Sequence, residues 1–217
     1  INACEAQFGV LDETYPAQES GYAWINHYLV DDAVKSTKKI VDKLIVCAHA
    51  GLEDYPVPLF EWKDRYRRLC DIGADCIVGS HPHIPQGYEI YNNKPIFYSL
   101  GNFYFDTASF ENSPDYSFSV KLEITKEHIQ FNLVYHHKEN GMVRLTKKNE
   151  EFFDIDDLNK QLSSNKLLEH VYLDAYKKIT TVFFVDTFSS LQFSTSVKQL
   201  IKNFVRKFFF SNRYRQK

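Results

Sequence analysis

The feature that most constrains this chain is a pair of short apolar runs that lead into histidines. The runs Leu44–Ala48 and Asp75–Val78 are rich in Ile, Val and Cys, which is typical of buried β-strands. His49 follows the first run, and His81 and His83 follow the second. Because ligands bind just beyond the carboxyl ends of the strands in an α/β sheet, the sequence predicts that these three imidazoles face one place.

The segments around these runs predict an α/β fold with parallel strands. Apolar residues recur at helical spacing over residues 30–43 and 60–72, so helices and strands alternate along the chain. The Asn92–Asn93 pair separates two β-type segments and predicts a hairpin. Residues 116–123 and 128–136 alternate around a second predicted turn at Lys126 and Glu127, and residues 140–146 predict one more strand.

The composition indicates a globular protein with a sizeable core. Of the 217 residues, 44% are hydrophobic and 16% are aromatic, and the formal net charge is −2. These values exclude a disordered chain and argue against a general nucleic-acid binder. The sequence contains no apolar run of about 18 residues, the length that a membrane-spanning helix needs.

The four cysteines predict free thiols rather than disulfides. Cys4, Cys47, Cys70 and Cys76 form no CxxC pair. Cys47 and Cys76 lie inside the apolar runs, so the sequence predicts that both are buried.

The character of the sequence changes near residue 151. We therefore expect residues 1–150 to form the α/β region and residues 151–217 to form a helical extension. Apolar residues at helical spacing predict helices over residues 158–176 and 197–210. The second of these carries interleaved Lys and Arg, which suits peripheral contact with a membrane or a helix packed on the domain with a basic outer face.

The chain begins with Ile1 and contains one methionine, Met142. Because translation begins at methionine, the sequence predicts further residues upstream of Ile1. A signal peptide in that upstream part would not be visible, so the residues present do not determine the compartment.

The three histidines at the strand ends favour a metal site over structural roles. Neutral imidazole is a common ligand for zinc, iron and manganese, and an H-x-H pair can present two nitrogens to adjacent metals. Pro82 stiffens the turn between His81 and His83, while Gly79 allows a close approach at the strand end. The other histidines lack such a setting and are predicted at the surface. They are His27, His128, His136, His137 and His170.

Two stretches carry a resemblance to a known family. They are HAGLEDY, which begins at His49, and GADCIVGSHPHIPQGYEIYNNKPIFYSLGNFYFD, which begins at Gly73. They resemble the C-terminal half of CapA-type proteins, the poly-γ-glutamate capsule biosynthesis proteins within the calcineurin-like metallophosphatase superfamily. The resemblance spans roughly residues 1–125 and is densest over residues 45–106, so the predicted helical extension lies outside it.

The resemblance implies part of a four-layer α/β/β/α metallophosphatase-like sandwich with a two-metal site at the strand ends. His49 matches the family's isolated metal-binding histidine, and His81 and His83 match its terminal H-x-H pair. The two divalent ions would be manganese, iron or zinc, a choice that the ligand types leave open.

Three further residues are implied around the metals. Glu53 matches the glutamate of the family's HxGxE stretch and is predicted to act in catalysis, by binding substrate or by orienting His49. Glu5 and Asn102 are predicted to bind substrate at the rim of the site. A solvated loop carboxylate for Glu53 or Glu5, and a structural turn amide for Asn102, are the open alternatives.

The family's remaining metal ligands lie upstream of the segment that matches Ile1. They are an aspartate, a second acidic residue and an Asn-His pair. Three histidines cannot hold two bridged metals by themselves, so the resemblance implies a site completed by an N-terminal half that is absent from this chain. The implied function is a two-metal hydrolase acting on a phosphorylated or polymeric substrate of the cell envelope. The alternative is a non-catalytic scaffold in envelope polymer assembly. The compartment is then the bacterial cell envelope or the cytoplasm, and the resemblance favours the envelope.

Overall fold

The computed structural model describes residues 1–5, 10–11, 21–105, 114–146 and 153–189. In these ranges the chain forms ten strands and four helices. The strands are β1 (Asn2–Cys4), β2 (Val10–Leu11), β3 (Tyr22–Ala23), β4 (Ile45–His49), β5 (Cys76–Ser80), β6 (Tyr88–Tyr91), β7 (Lys94–Phe97), β8 (Tyr116–Ile124), β9 (Ile129–Glu139) and β10 (Met142–Leu145). The helices are α1 (Tyr28–Lys38), α2 (Phe60–Asp71), α3 (Ile155–Ser163) and α4 (Asn165–Ser189).

The chain divides into two compact units, Ile1–Tyr172 and Leu173–Lys217. The first unit contains all ten of these strands and the helices α1 to α3. No helix in the described ranges combines the length and the apolar character that a membrane crossing requires. The helix predicted over residues 197–210 lies outside the described residues.

The first unit is built on a five-stranded sheet in the order β1-β4-β5-β7-β6. Strands β1, β4, β5 and β7 are parallel, and β6 runs antiparallel to β7. The turn between β6 and β7 consists of Asn92 and Asn93, with φ values of 49° and 62°. Asparagine visits this left-handed backbone more readily than most residues. The predicted α/β class, parallel strands and hairpin are therefore confirmed.

Helices cover one face of this sheet, and a second sheet covers part of the other. Val46 of β4 shares a buried core with Val34 of α1 and Leu69 of α2. Because successive strand residues face opposite sides, the sheet can bury residues on both faces. On the other face, Cys76 of β5 packs with Phe118 of β8 in a separate cluster. The second sheet is antiparallel, in the order β10-β9-β8, and it contains the predicted second hairpin.

The helix predicted over residues 30–43 is wrong at its C-terminal end. It ends at Lys38, and Ile40 beyond it is 83% exposed. The chain leaves the helix because it must enter β4 beside β5. That entry is fixed by the Leu44 N–H, which donates to the Asp75 carboxylate at 2.7 Å.

The single helix predicted over residues 158–176 is two helices. The interruption falls at Ser164, whose backbone is extended and closes α3. Leu162 before the break and Leu168 after it are both buried in the core on the helical side of the sheet. The change of direction therefore lets two short apolar segments reach one core.

Candidate metal centre

The candidate metal centre lies at the carboxyl edge of the parallel sheet. β4 ends at His49, and β5 ends at Ser80, directly before His81. His49 pairs in register with Ser80, so both strands end at the same height. The ring centroids of His49 and His81 are 4.8 Å apart, and those of His81 and His83 are 5.9 Å apart. The three imidazoles therefore lie side by side, as the strand ends predict.

The turn that carries His81 and His83 has an unusual backbone. Their φ values are 103° and 63°, in a region that residues with a Cβ rarely adopt. The loop after β4 supports this turn, because the Asp54 N–H donates to the Pro82 carbonyl at 3.0 Å. Gly51 also approaches so closely that a Cβ there would stand 2.8 Å from Pro82 Cγ. Backbone strain of this kind persists where its surroundings fix it, and it clusters at functional sites.

Glu53 faces the two histidines of this turn. Its Oε1 atom lies 3.8 Å from His81 Nε2 and 3.9 Å from His83 Nε2. The three residues offer ligand atoms that lie within 4.8 Å of one another, and two imidazoles with a carboxylate suit zinc, iron or manganese. The Glu53 side chain is 47% exposed, so a substrate can reach it. The donor types and their spacing fit one divalent cation.

Glu5 lies deeper in the site than a position on its rim. It follows β1 and is only 7% exposed. Its Oε1 atom lies 2.8 Å from His81 Nε2, and its Oε2 atom accepts a hydrogen bond from the Gly51 N–H at 3.3 Å. The close Glu5 carboxylate raises the pKa of His81, although burial acts in the opposite direction. A buried carboxylate thus belongs to the histidine cluster.

Asn102 and Ser80 orient two of the imidazoles. Asn102 Oδ1 lies 2.9 Å from His83 Nδ1, and Ser80 Oγ lies 3.2 Å from His49 Nδ1. A partner on Nδ1 fixes the ring and leaves Nε2 for a ligand, as the outer partners of metal-binding histidines commonly do. Burial, and after it the charge of His81, lowers the pKa of His49, which favours the neutral form that binds metals. The predicted contact of Asn102 with substrate stays a prediction.

The structure also contains a buried histidine that was predicted at the surface. His136 of β9 is only 6% exposed, and its Nε2 atom lies 2.7 Å from Ser119 Oγ. The ring of Phe103 packs edge-on against it, and burial lowers the pKa of His136. The surface prediction is wrong because His136 pairs in register with the buried Ser117. The period-2 pattern of β9 gave no signal of this burial, because it places His136 on the same face as the exposed Gln130 and Asn132. The burial comes from a ring distant in the sequence, that of Phe103.

A cavity of about 500 Å³ opens beside His49 on one face of the sheet. Cys4, Cys47, Tyr22 and Ser80 contribute to its lining. Cys47 was predicted to be buried, but it is exposed because its face of β4 borders this cavity. All four cysteines are free, as predicted. His49 is therefore accessible to a ligand from this cavity.

Comparison with known proteins places the whole histidine cluster within one family match. Residues 5–107 match the family described as bacterial capsule synthesis protein PGA_cap. Over 73 residues the chain is 44% identical to the PGA biosynthesis protein CapA of Bacillus subtilis (strain 168), which covers 34% of this chain and 19% of that protein. Over 77 residues it is 39% identical to the capsule biosynthesis protein CapA of Bacillus anthracis, which covers 36% of this chain and 19% of that protein. The chain thus matches about a fifth of the length of each of these relatives.

Proposed function

We propose that this chain, whose residues 5–107 match the PGA_cap family of bacterial capsule synthesis proteins, acts in capsule or cell-envelope polymer synthesis as a metal-dependent hydrolase. The observation that supports this proposal most strongly is the convergence of Glu53, His81 and His83. Their donor atoms suit a catalytic divalent cation. The substrate would be a phosphorylated or polymeric component of the envelope.

The complete site would hold two divalent ions, and manganese, iron or zinc would suit it. Glu53, His81 and His83 would hold one ion, and His49 beside them would contribute to the second. When bound, such ions lower the pKa of a water molecule and polarise the reacting phosphoryl or amide group.

The remaining ligands would come from residues upstream of Ile1. In this proposal residues 1–150 form the C-terminal half of a four-layer α/β/β/α domain, and residues 151–217 form its helical extension. Two ions need about four donors each, which is more than the three-residue group in the described ranges supplies. The small share of each CapA relative that this chain matches is compatible with a longer domain.

The chain's own residues would keep the site rigid and accessible. Asn102 and Ser80 hold the rings of His83 and His49 by their Nδ1 atoms. Rigid ligands lower the cost of reaching the reactive geometry when substrate arrives. Glu53 is exposed enough to touch both metal and substrate, so it is the residue of this chain best placed to act in catalysis.

Metal content and phosphodiesterase activity test this proposal. We expect a protein extended upstream of Ile1 to carry about two transition metals per chain by mass spectrometry, and the 217-residue chain to carry fewer. In the extended protein, His81→Ala should lower hydrolysis of a phosphodiester by about 100-fold, because it removes a metal ligand. His128→Ala, in an exposed turn of the second sheet, is the matched control and should change neither quantity. Full activity in His81→Ala would refute the hydrolase.

The alternative is a non-catalytic scaffold in envelope polymer assembly. The observation that favours it is that the ligand group in the described ranges has three residues. A protein can keep such a small group without catalysing a reaction. Residues upstream of Ile1 would distinguish the two functions. An intact aspartate, a second acidic residue and an Asn-His pair there would favour the enzyme. Absence of transition metal from both the extended protein and the 217-residue chain would support the scaffold.

A further inference from the structure

We propose that Glu5 is a metal ligand of this site. With Glu53, His81 and His83 it forms a set of two imidazoles and two carboxylates around a single divalent cation. This inference rests on the metal-binding part of the proposed function. It adds a ligand from the end of β1 to those from the H-x-H turn and from the loop after β4.

Glu5 reaches the group of Glu53, His81 and His83 through its contact with His81. His81 Nε2 lies 2.8 Å from Glu5 Oε1 and 3.8 Å from Glu53 Oε1, and His83 Nε2 lies 3.9 Å from Glu53 Oε1. Metal–ligand bonds of about 2.0–2.2 Å in a tetrahedral site place neighbouring ligand atoms about 3.3–3.6 Å apart. The observed separations lie on either side of that range. An ion can therefore enter by widening the Glu5–His81 contact and narrowing the two contacts of Glu53.

The burial of Glu5 is the second argument. A buried carboxylate carries a large desolvation cost unless a positive charge or several donors compensate it. In the described part of the chain Glu5 pairs with no Lys or Arg, and its contacts are the His81 ring and the Gly51 N–H. A divalent cation bound between these side chains would supply positive charge to Glu5 and Glu53 together while His81 binds as a neutral ligand.

The backbone holds Glu5 at the same edge of the sheet as the histidines. Cys4 pairs in register with His49, and the Glu5 N–H donates to the His49 carbonyl at 3.1 Å. His49 in turn pairs with Ser80, the residue before His81. Three neighbouring parallel strands thus each place a candidate ligand at, or directly after, their carboxyl ends.

A carboxylate beside a histidine can also act by orienting the ring rather than by binding the metal. The two roles respond differently to glutamine. Gln keeps an oxygen that accepts from His81, so it preserves an orienting hydrogen bond. Gln lacks the negative charge and is a poor metal ligand, so it does not preserve a ligand role.

Cobalt binding to the full 217-residue chain tests the inference, with the visible absorption of Co²⁺ and calorimetry as readouts. We expect the wild-type chain to bind one Co²⁺ and Glu5→Gln to bind it about 100-fold more weakly. This loss of affinity is at least as large as the loss caused by changing a residue that only positions a metal ligand. Glu5→Ala should lose as much as Glu5→Gln. Glu61→Gln, on the surface of α2, is the matched control and should bind like wild type. Glu5→Asp keeps the charge on a shorter side chain and should fall between wild type and Glu5→Gln.

The outcomes separate this inference from the proposed function. If Glu5→Gln binds Co²⁺ within about threefold of wild type while Glu5→Ala is weak, Glu5 orients His81 and the inference is overturned. If the 217-residue chain binds no Co²⁺ but the extended protein does, the four-ligand set is also overturned, while the metal-dependent hydrolase survives. Thermal unfolding without metal shows whether each variant is folded, and we expect Glu5→Gln to be at least as stable as wild type because it no longer buries a charge.

Discussion

Single residues carry the clearest mark of a functional site in this chain. His81 and His83 hold positive φ values of 103° and 63°, although each such conformation costs of the order of 1 kcal/mol or more. Backbone strain of this kind clusters at functional sites. The strain is explained if the turn must aim both imidazoles at one ligand, with Glu53 opposite them.

The cysteines give a prediction at the same scale. Cys47 is exposed beside the cavity near His49, whereas burial raises the pKa of Cys70 and of Cys76 to about 12. Burial also raises the pKa of Cys4. Because the thiolate is the reactive form, we expect a thiol reagent to label one cysteine quickly in the native protein and all four after unfolding. Cys47→Ser should remove the fast phase, and a fast phase that survives this change would contradict the assignment.

Among the elements, the two helices on the sheet are joined by one buried carboxylate. Asp31 of α1 accepts from Arg65 Nη1 at 2.6 Å and from Arg68 Nη2 at 3.0 Å, both of α2. Burial raises the pKa of Asp31, but the hydrogen bonds from Arg65 and Arg68 outweigh it and hold the pKa below its usual range. The helices that cover the sheet are therefore coupled by charge as well as by apolar packing.

Removal of this charge should destabilise the fold. We expect Asp31→Asn to lower the free energy of unfolding by about 3 kcal/mol, because it leaves Arg65 buried without its carboxylate. The matched control is Asp32→Asn, whose partner Lys35 lies 3.6 Å away on the exposed side of α1, and it should cost less than about 1 kcal/mol. Urea unfolding measures both, and equal effects of the two changes would contradict the role of Asp31.

The same pair makes stability depend on pH. Since the pKa of Asp31 is lower in the folded than in the unfolded chain, its stabilising contribution is complete above the unfolded pKa, near pH 4. It is lost as the pH falls through the lower folded pKa. The difference in stability between wild type and Asp31→Asn should therefore be largest near neutral pH and shrink below about pH 4.

For the whole molecule, the buried core around the sheet extends into the helical region beyond residue 150. Leu162, Leu168 and Val171 are buried in the same cluster as the sheet and α2, and the buried Lys63 donates to the Leu162 carbonyl at 2.7 Å. Gly87 also lies so close to α3 that a Cβ there would stand 2.7 Å from Asn159 Oδ1. These contacts place the first part of the helical region in the core of the first unit.

Truncation tests this conclusion. A chain ending at residue 172 should unfold cooperatively, whereas a chain ending at residue 150 should lose several kcal/mol of stability, because each buried aliphatic side chain contributes about 1.5–3 kcal/mol. Urea unfolding, together with binding of a hydrophobic dye, measures the difference. Equal stability of the two chains would instead support residues 1–150 as an independent domain.

The local pattern of residues was enough to predict much of the fold and part of the site. Apolar runs of strand length, helical spacing before them and the Asn92–Asn93 turn are short-range signals, and each gave an element of the right type. The ends of α1 and the break at Ser164 were missed. Those bounds depend on where the chain must turn to meet the sheet, which no local window contains.

The sequence by itself determined that three histidines follow two neighbouring parallel strands, because strand ends and the H-x-H spacing are written in consecutive residues. Only the tertiary structure decided that Glu5 touches His81, that Cys47 is exposed and that His136 is buried. Each of these depends on which strand lies beside another and which face a second sheet covers. Contacts between residues far apart in the chain arise only when packing brings strands and faces together.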